Sequence, residues 1–191
     1  MNYPFLSQRS RVYCELSMKV LRDHITLSDR VLDVGSGPGF VAQRIHQELQ
    51  AEVCCLDVVD LNKTDYSVTL FNGENIPFGD NEFSVTLGLF MLHHARESAH
   101  LNLLSEMKRV TKSKMIISED LAYNWIDRSL QKFHEFESRI DFKSDNLTFR
   151  SLDEWQELFE SVGLKVSEII DIPRTAAWWY PIRRSYFILD I

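Results

Sequence analysis

Short apolar runs alternate with helix-like stretches along most of the chain. The runs predicted to be strands lie at residues 30–34, 52–59, 67–71, 83–92, 114–118, 165–172 and 186–191. Between them, apolar side chains recur at three- and four-residue spacing, as at Leu103, Leu104 and Met107, which is typical of a helix with one buried face. This alternation predicts an α/β protein with a mainly parallel sheet.

The end of the chain departs from that alternation. A capping box that begins at Ser151 predicts a helix that stops at Gly163, and the last two predicted strands follow it. The connection between those two strands has no room for a crossover helix, so they are predicted to lie antiparallel at one edge of the sheet. No repeat or linker divides the sequence, and we interpret residues 1–191 as a single domain.

Composition narrows the function classes. The 191 residues are 45% hydrophobic and 26% charged, as in a globular protein rather than a disordered one, and the net charge of −7 argues against general nucleic-acid binding. No apolar stretch approaches the roughly 20 residues of a membrane helix. Cys14, Cys54 and Cys55 show no metal-site spacing. We therefore expect a soluble, cytoplasmic protein without a membrane span or a metal.

The most informative segment is the glycine loop at residues 31–39. A strand that turns into a helix at Gly35, Gly37 and Gly39 exposes backbone N–H groups and lets a ligand approach the main chain closely. A dinucleotide fingerprint would need its third glycine where Phe40 stands. Asp33 would repel a pyrophosphate but attract an ammonium group. The loop therefore predicts a cationic, amino-acid-bearing nucleoside, of which S-adenosylmethionine is the obvious example.

Polar residues at two further strand ends fit the same ligand. Asp57 follows the second strand, where a carboxylate can accept both ribose hydroxyls, although it could also be a merely solvated strand end. Asn72 follows the third strand and offers an amide to an adenine edge, although it could instead cap the following turn. Gly73 leaves the backbone beside it open. Parallel strands place all these residues at one edge of the sheet.

With these motifs the chain resembles the class I S-adenosylmethionine-dependent methyltransferases, in particular the small-molecule group that includes the ubiquinone and menaquinone C-methyltransferases. The resemblance runs over residues 10–172, and its motifs occur in the family's order. They lie at residues 31–39, 56–57, 72–78, 82–86, 92–94, 106–110 and 151–163.

The resemblance implies a Rossmann-like sheet of order 3-2-1-4-5-7-6, with strand seven antiparallel and helices on both faces. It also implies contacts of the chain with the methionine moiety, its ammonium, the ribose and the adenine. The residues at the corresponding positions are Asp33, Gly35, Ser36, Gly37, Gly39, Asp57, Val58, Asn72, Gly73, Gly88 and Leu89.

The implied activity is transfer of a methyl group to a small-molecule acceptor by in-line displacement, leaving S-adenosylhomocysteine. Ser84 and Asn72 stand where the family usually has Asp. Ser84 and the unassigned base leave open a non-catalytic S-adenosylmethionine-binding sensor or assembly protein. An NAD(P)-dependent oxidoreductase is a further alternative, against which Asp33 and Phe40 both count.

Candidates for a catalytic base are weaker. His93 or His94 could accept a proton, or one could satisfy the backbone at the strand end while the other faces solvent. Asp120, beside Glu119, could orient or deprotonate an acceptor, or the pair could cap the next helix. We expect residues 120–150 to form a lid or acceptor wall. The aromatic cluster at residues 178–180 and the oligomeric state have no assignment from the sequence.

Overall fold

The computed structural model describes residues 6–122, 147–173 and 182–191, together with residues 127, 129 and 132. Its helices are α1 (Leu6–Leu21), α2 (Phe40–Leu49), α3 (His100–Val110) and α4 (Leu152–Ser161). Its strands are β1 (Arg30–Val34), β2 (Glu52–Asp57), β3 (Val68–Leu70), β4 (Phe83–Leu89), β5 (Thr111–Asp120), β6 (Lys165–Ile172) and β7 (Arg184–Asp190).

In the described residues the strands form one seven-stranded sheet of order β3-β2-β1-β4-β5-β7-β6. The pairs among β1 to β5 are parallel, and β7 is antiparallel to both β5 and β6. The strand order and the reversed direction of strand seven are therefore confirmed. Because β7 inserts between β5 and β6, the chain completes the sheet only with its last strand.

Strand limits differ most from the sequence pattern at β4 and β5. The apolar run at residues 83–92 predicts a strand to Leu92, but β4 ends at Leu89 because Phe90 has a positive φ of 54° and a 3₁₀ turn follows at Leu92–His94. Strand β5 is longer than its apolar core, since residues as far as Asp120 pair with β7. The prediction for β4 is wrong at the end that matters for the site.

Helices cover both faces of the sheet. Met107 of α3 and Trp155 of α4 belong to the core on one face, and Met18 of α1 and Ile45 of α2 belong to the core on the other. All four side chains are fully buried. The parallel strands therefore lie between two helical layers, and their carboxyl ends meet at a single edge of the molecule.

Helix α4 begins as its sequence predicts. Ser151 accepts a hydrogen bond from the backbone of Glu154, and the Glu154 side chain accepts one from the backbone of Ser151.

Among the helices that the structure describes, none combines the length and the apolar character required to cross a membrane.

Candidate active site

The glycine loop joins β1 to α2 and rests on β2. The backbone N–H groups of Gly35 and Ser36 both donate to the carbonyl of Leu56, at 2.8 and 3.2 Å. Gly35, Gly37 and Gly39 all have a positive φ. The loop therefore follows a left-handed path that keeps the main chain exposed next to the ends of β1 and β2.

Two buried carboxylates lie under this loop. Asp33 is 2% exposed, and its Oδ2 atom makes no hydrogen bond to any residue that the structure describes. Burial, and then the charge of Asp57, raises the pKa of Asp33 to about 7. A buried carboxylate oxygen without a donor is costly. Asp33 therefore presents an unmet demand for a cation or a hydrogen-bond donor.

Asp57 is better satisfied than Asp33. Its Oδ2 accepts the N–H of Gly37 at 2.9 Å, and its Oδ1 accepts the N–H of Val58 at 2.7 Å and of Val59 at 3.3 Å. Burial raises the pKa of Asp57, and these backbone hydrogen bonds oppose the rise. Asp57 is thus more than a solvated strand end, because it ties the glycine loop to the turn after β2.

The turn after β3 uses one side of Asn72. Its Oδ1 atom accepts from the backbone N–H groups of Glu74 and Asn75, each at 2.9 Å. The capping alternative for Asn72 is therefore present in the structure. Its amide nitrogen makes no hydrogen bond to the part of the chain that is described, which leaves the NH₂ group to meet a ligand.

These segments line one cavity of about 800 Å³ along the carboxyl edge of the sheet. Its volume falls in the range of small-molecule and cofactor sites. Nine of the eleven residues that the sequence marks for the cofactor line it, namely Asp33, Gly35, Ser36, Gly37, Asp57, Val58, Asn72, Gly73 and Leu89.

Gly39 and Gly88 lie outside this lining, and both have a packing reason to be glycine. A Cβ atom at Gly39 would come within 2.6 Å of Asn62 Oδ1. One at Gly88 would come within 2.8 Å of Ile117 Cδ1 and 2.9 Å of Met107 Cε. The Cβ position of Gly88 therefore faces the core under α3, and the cofactor contact that the resemblance implies for Gly88 stays a prediction.

Part of the wall was not anticipated from the sequence. Ser10, Tyr13 and Ser17 of α1 line the cavity, and the Tyr13 ring stacks on Phe90 at 4.2 Å between centroids. Phe90 contacts Tyr186 of β7 edge-on. The spacing of the three α1 residues places them on one helical face, and that polar face is the feature of the sequence that indicates a cavity wall.

The two histidines after β4 differ in their surroundings. Both line the cavity, but His93 is buried and its Nδ1 atom pairs with the Glu119 carboxylate, whereas His94 is half-buried. Nδ1 of the His93 ring thus meets a carboxylate. The sequence does not predict this pairing, and the pairing is compatible with His93 as a proton acceptor.

Asp120 does not reach the cavity. It lies at the tip of β5, fully buried, and forms an ion pair with Arg184 of β7 at 3.3 Å. Arg184 in turn lies over the Tyr13 ring, at 5.3 Å from its centroid. Since successive residues of a strand point to opposite faces, Glu119 and Asp120 serve different sides of the sheet.

Ser84 lies at the opposite edge of the sheet. Its hydroxyl donates to Asp29 at 2.7 Å and accepts from the backbone N–H of Arg30 at 3.0 Å. Both contacts hold the amino ends of β1 and β4 together. The departure from the family pattern at Ser84 therefore does not touch the cavity.

The positions at residues 178–180, and most of 120–150, lie outside the described residues.

Solved structures with the same fold come from several organisms. A chain from the complex between the Haloferax volcanii Trm112 methyltransferase activator and a methyltransferase is 18% identical, with a TM-score of 0.72, and the match covers 96% of this chain and 91% of that one. An Archaeoglobus fulgidus SAM-dependent methyltransferase is 14% identical, with a TM-score of 0.70 and full coverage of both chains. A SAM-dependent methyltransferase from Thermotoga maritima is 14% identical, with a TM-score of 0.70, and the match covers 98% of this chain and 97% of that one.

A family model matches part of the sequence. None of the curated proteins compared with the chain matches it. Residues 31–114, which carry the glycine loop, Asp57, Asn72 and both histidines, match a family model described as a methyltransferase domain. The matches do not single out the ubiquinone and menaquinone C-methyltransferases. The domain match over residues 31–114 and the strand order support a class I S-adenosylmethionine-dependent methyltransferase.

Proposed function

We propose that the protein transfers a methyl group from S-adenosylmethionine to a small-molecule acceptor in the cavity at the carboxyl edge of the sheet. The observation that carries this proposal is Asp33, a buried carboxylate just before Gly35, one oxygen of which has no donor among the residues that the structure describes. The ammonium group of the methionine moiety would supply the missing charge.

The other lining residues fit the remaining parts of the cofactor. Gly35, Ser36 and Gly37 would hold the methionine moiety, and Asp57 has further lone pairs for ribose hydroxyls. Adenine would pack on Val58, which is 60% exposed beside the cavity, and would meet the Asn72 NH₂ group and the backbone of Gly73. Leu89 would pack against the bound nucleoside. When bound, S-adenosylmethionine supplies an electrophilic methyl group on a positively charged sulfur.

Several features support a small acceptor in the cytoplasm. The cavity is closed along one side by α1, and its volume suits a nucleoside together with a small partner. The similar Thermotoga maritima protein is named a possible histamine N-methyltransferase. A net charge of −7 disfavours a nucleic-acid acceptor. Free thiols at Cys14, Cys54 and Cys55 suit a reducing compartment.

Calorimetric titration with S-adenosylmethionine, S-adenosylhomocysteine and NADH tests the proposal. We expect both sulfur nucleosides to bind, and Asp33→Asn to weaken S-adenosylmethionine at least tenfold, or about 1.4 kcal/mol. The matched control is Asp29→Asn, a carboxylate at the opposite edge of the sheet that pairs with Ser84 and Thr26. Its affinity should equal that of the wild type.

Binding of NADH alone would overturn the proposal, and so would equal losses in the two variants. Methyl transfer is then measured by mass spectrometry, with deuterated-methyl cofactor and a panel of phenols and amines. Binding without transfer to any of them would favour the non-catalytic alternative. The similar Haloferax volcanii structure contains a methyltransferase activator. If the purified chain transfers no methyl group, the assay is repeated with a candidate activator protein from the same organism.

A further inference from the structure

The pairing of Glu119 with His93 joins two strand ends inside the cavity wall. Glu119 is fully buried at the end of β5, and both of its oxygens are engaged by the turn after β4. Oε1 accepts the N–H of Leu92 at 2.8 Å, and Oε2 pairs with Nδ1 of His93. The carboxylate therefore fixes both the backbone of the turn and the orientation of the ring.

Neighbouring groups brace the same turn from other directions. Nε2 of His100, on α3, donates to the carbonyls of Leu92 at 2.9 Å and Ala95 at 3.2 Å. The backbone N–H of Thr148 donates to the carbonyl of His93 at 3.0 Å, and the Phe149 ring stacks on the His93 ring. A side chain supported on this many sides keeps one orientation, which is what a group that handles a proton requires.

The sheet order places this pair on the side of the cavity away from the polar contacts proposed for the ribose and the adenine. Asp57 ends β2, Asn72 follows β3, and the glycine loop leads on from β1. His93 follows β4 and is held from β5, the next strands in the sheet. A cofactor held across β1 to β3 leaves the β4–β5 end of the cavity for the acceptor.

Histidine chemistry then fixes which nitrogen can act. When Nδ1–H donates to the Glu119 carboxylate, the neutral ring carries its lone pair on Nε2. If Nε2 takes up a proton, the carboxylate stabilises the imidazolium that forms, because it lies against the other ring nitrogen.

We propose that His93 accepts the proton of a hydroxyl or N–H acceptor, with Glu119 as the positioning residue that holds it in the Nδ1–H tautomer. This inference rests on the proposed function. The acceptor's lone pair forms a bond to the methyl carbon as the carbon–sulfur bond breaks, and the sulfur keeps that electron pair. The acceptor's proton passes to Nε2 of His93 and then to solvent, so a neutral protic acceptor yields a neutral methylated product.

The first test needs no acceptor. In ¹⁵N-histidine-labelled protein, NMR reports which ring nitrogen carries the proton, and His93→Gln identifies the His93 signals. We expect the Nδ1–H tautomer in the wild type and loss of that preference in Glu119→Gln. The matched control is Asp120→Asn, the adjacent buried carboxylate on the other face, which should leave the His93 signals in place. An Nε2–H tautomer in the wild type would overturn the proposal.

The second test uses the phenol or amine that the panel identifies. His93→Gln should lower kcat by about 10²–10⁴-fold with cofactor affinity within twofold of the wild type. Glu119→Gln should lower kcat at least tenfold without raising KM for the cofactor. Unchanged kcat in His93→Gln would overturn the proposal, and so would an acceptor whose nucleophile carries no proton.

The two levels of inference fail differently. Failure of the proposed function appears as a wild-type protein that does not bind S-adenosylmethionine. Failure of the proposed role of His93 and Glu119 appears as normal S-adenosylmethionine binding with His93 in the Nε2–H tautomer. If Glu119→Gln does not fold, the wild-type tautomer and the His93→Gln kinetics still decide the question.

Discussion

The left-handed backbone at Gly39 faces a loop whose polar atoms are already engaged. Asn62 Oδ1, the atom that a Cβ would meet at 2.6 Å, accepts hydrogen bonds from the backbone and the hydroxyl of Thr64. Gly39→Ala therefore adds a clash to the backbone cost of a φ of 80°. We expect the free energy of unfolding, measured by urea titration, to fall by about 2–4 kcal/mol.

Gly37→Ala is the matched control for that substitution. Gly37 also has a positive φ, but among the described residues a Cβ there would meet no atom closer than the Gly35 carbonyl oxygen at 4.0 Å. Only the backbone cost applies, which is about 1–2 kcal/mol. Equal losses in the two variants would contradict the role of the Asn62 contact.

Asp33 makes the stability of the cofactor-free protein depend on pH. Its pKa is about 7 in the folded chain, against an ordinary value of 3.8, so the folded state binds the extra proton. The stabilisation is fully present below about pH 4 and is lost as pH rises through about 7. Relative to Asp33→Asn, the wild type should lose roughly 3–4 kcal/mol between those limits.

Urea titrations of both proteins from pH 4 to pH 8 measure this difference. Parallel curves would contradict it. An ammonium group beside Asp33 favours the ionised carboxylate, so binding of S-adenosylmethionine below pH 7 should release a proton. Its affinity is then expected to rise with pH up to about 7, whereas that of Asp33→Asn should stay flat over the same range.

At the scale of single elements, sequence patterns give the strands well and their ends poorly. The apolar run from residue 83 continues to Leu92, so nothing in its composition marks the stop at Leu89. The stop comes from the positive φ of Phe90, whose ring packs between Tyr13 and Tyr186. Those partners belong to the first helix and the last strand, and local sequence carries no record of them.

The residues of the candidate site likewise differ in whether the sequence alone predicts them. Asp33, Asp57 and Asn72 could be predicted because each lies at or just beyond the carboxyl end of a strand, and a parallel sheet brings those ends together. The contact of Glu119 with His93 could not, because it depends on the register between β4 and β5. The wall from α1 was missed for a similar reason, since a polar helical face also suits solvent.

Packing between β4 and α3 explains Gly88. The atoms that a Cβ would meet are the ends of the Met107 and Ile117 side chains, which can move aside. We expect Gly88→Ala to lower the free energy of unfolding by only about 1 kcal/mol and to leave cofactor affinity within threefold. Calorimetry with Asp33→Asn as the weakened reference measures this. A tenfold loss of cofactor affinity in Gly88→Ala would instead support a direct contact between Gly88 and the cofactor.

At the scale of the whole molecule, the cavity and the sheet that supports it depend on different parts of the chain. Residues from Ser10 to Leu103 line the cavity, and the matched methyltransferase domain ends at residue 114. The sheet, however, needs β7 from the far end of the sequence. Its residues Arg184 to Asp190 pair with β5, and β6 reaches the sheet only through β7.

A fragment of residues 25–122 separates these two requirements. It keeps the glycine loop, Asp57, Asn72 and His93, but it lacks α1 and β7, whose Met18 and Phe187 are fully buried. Without them, apolar residues of β5 are exposed to water. The free energy lost with this burial exceeds what the remaining contacts contribute to stability. We expect no cooperative unfolding transition in circular dichroism and no heat with S-adenosylmethionine, while the full chain shows both. A cooperative fragment that binds within threefold of the full chain would instead establish residues 25–122 as an independent folding unit, with β7 needed only to close its edge.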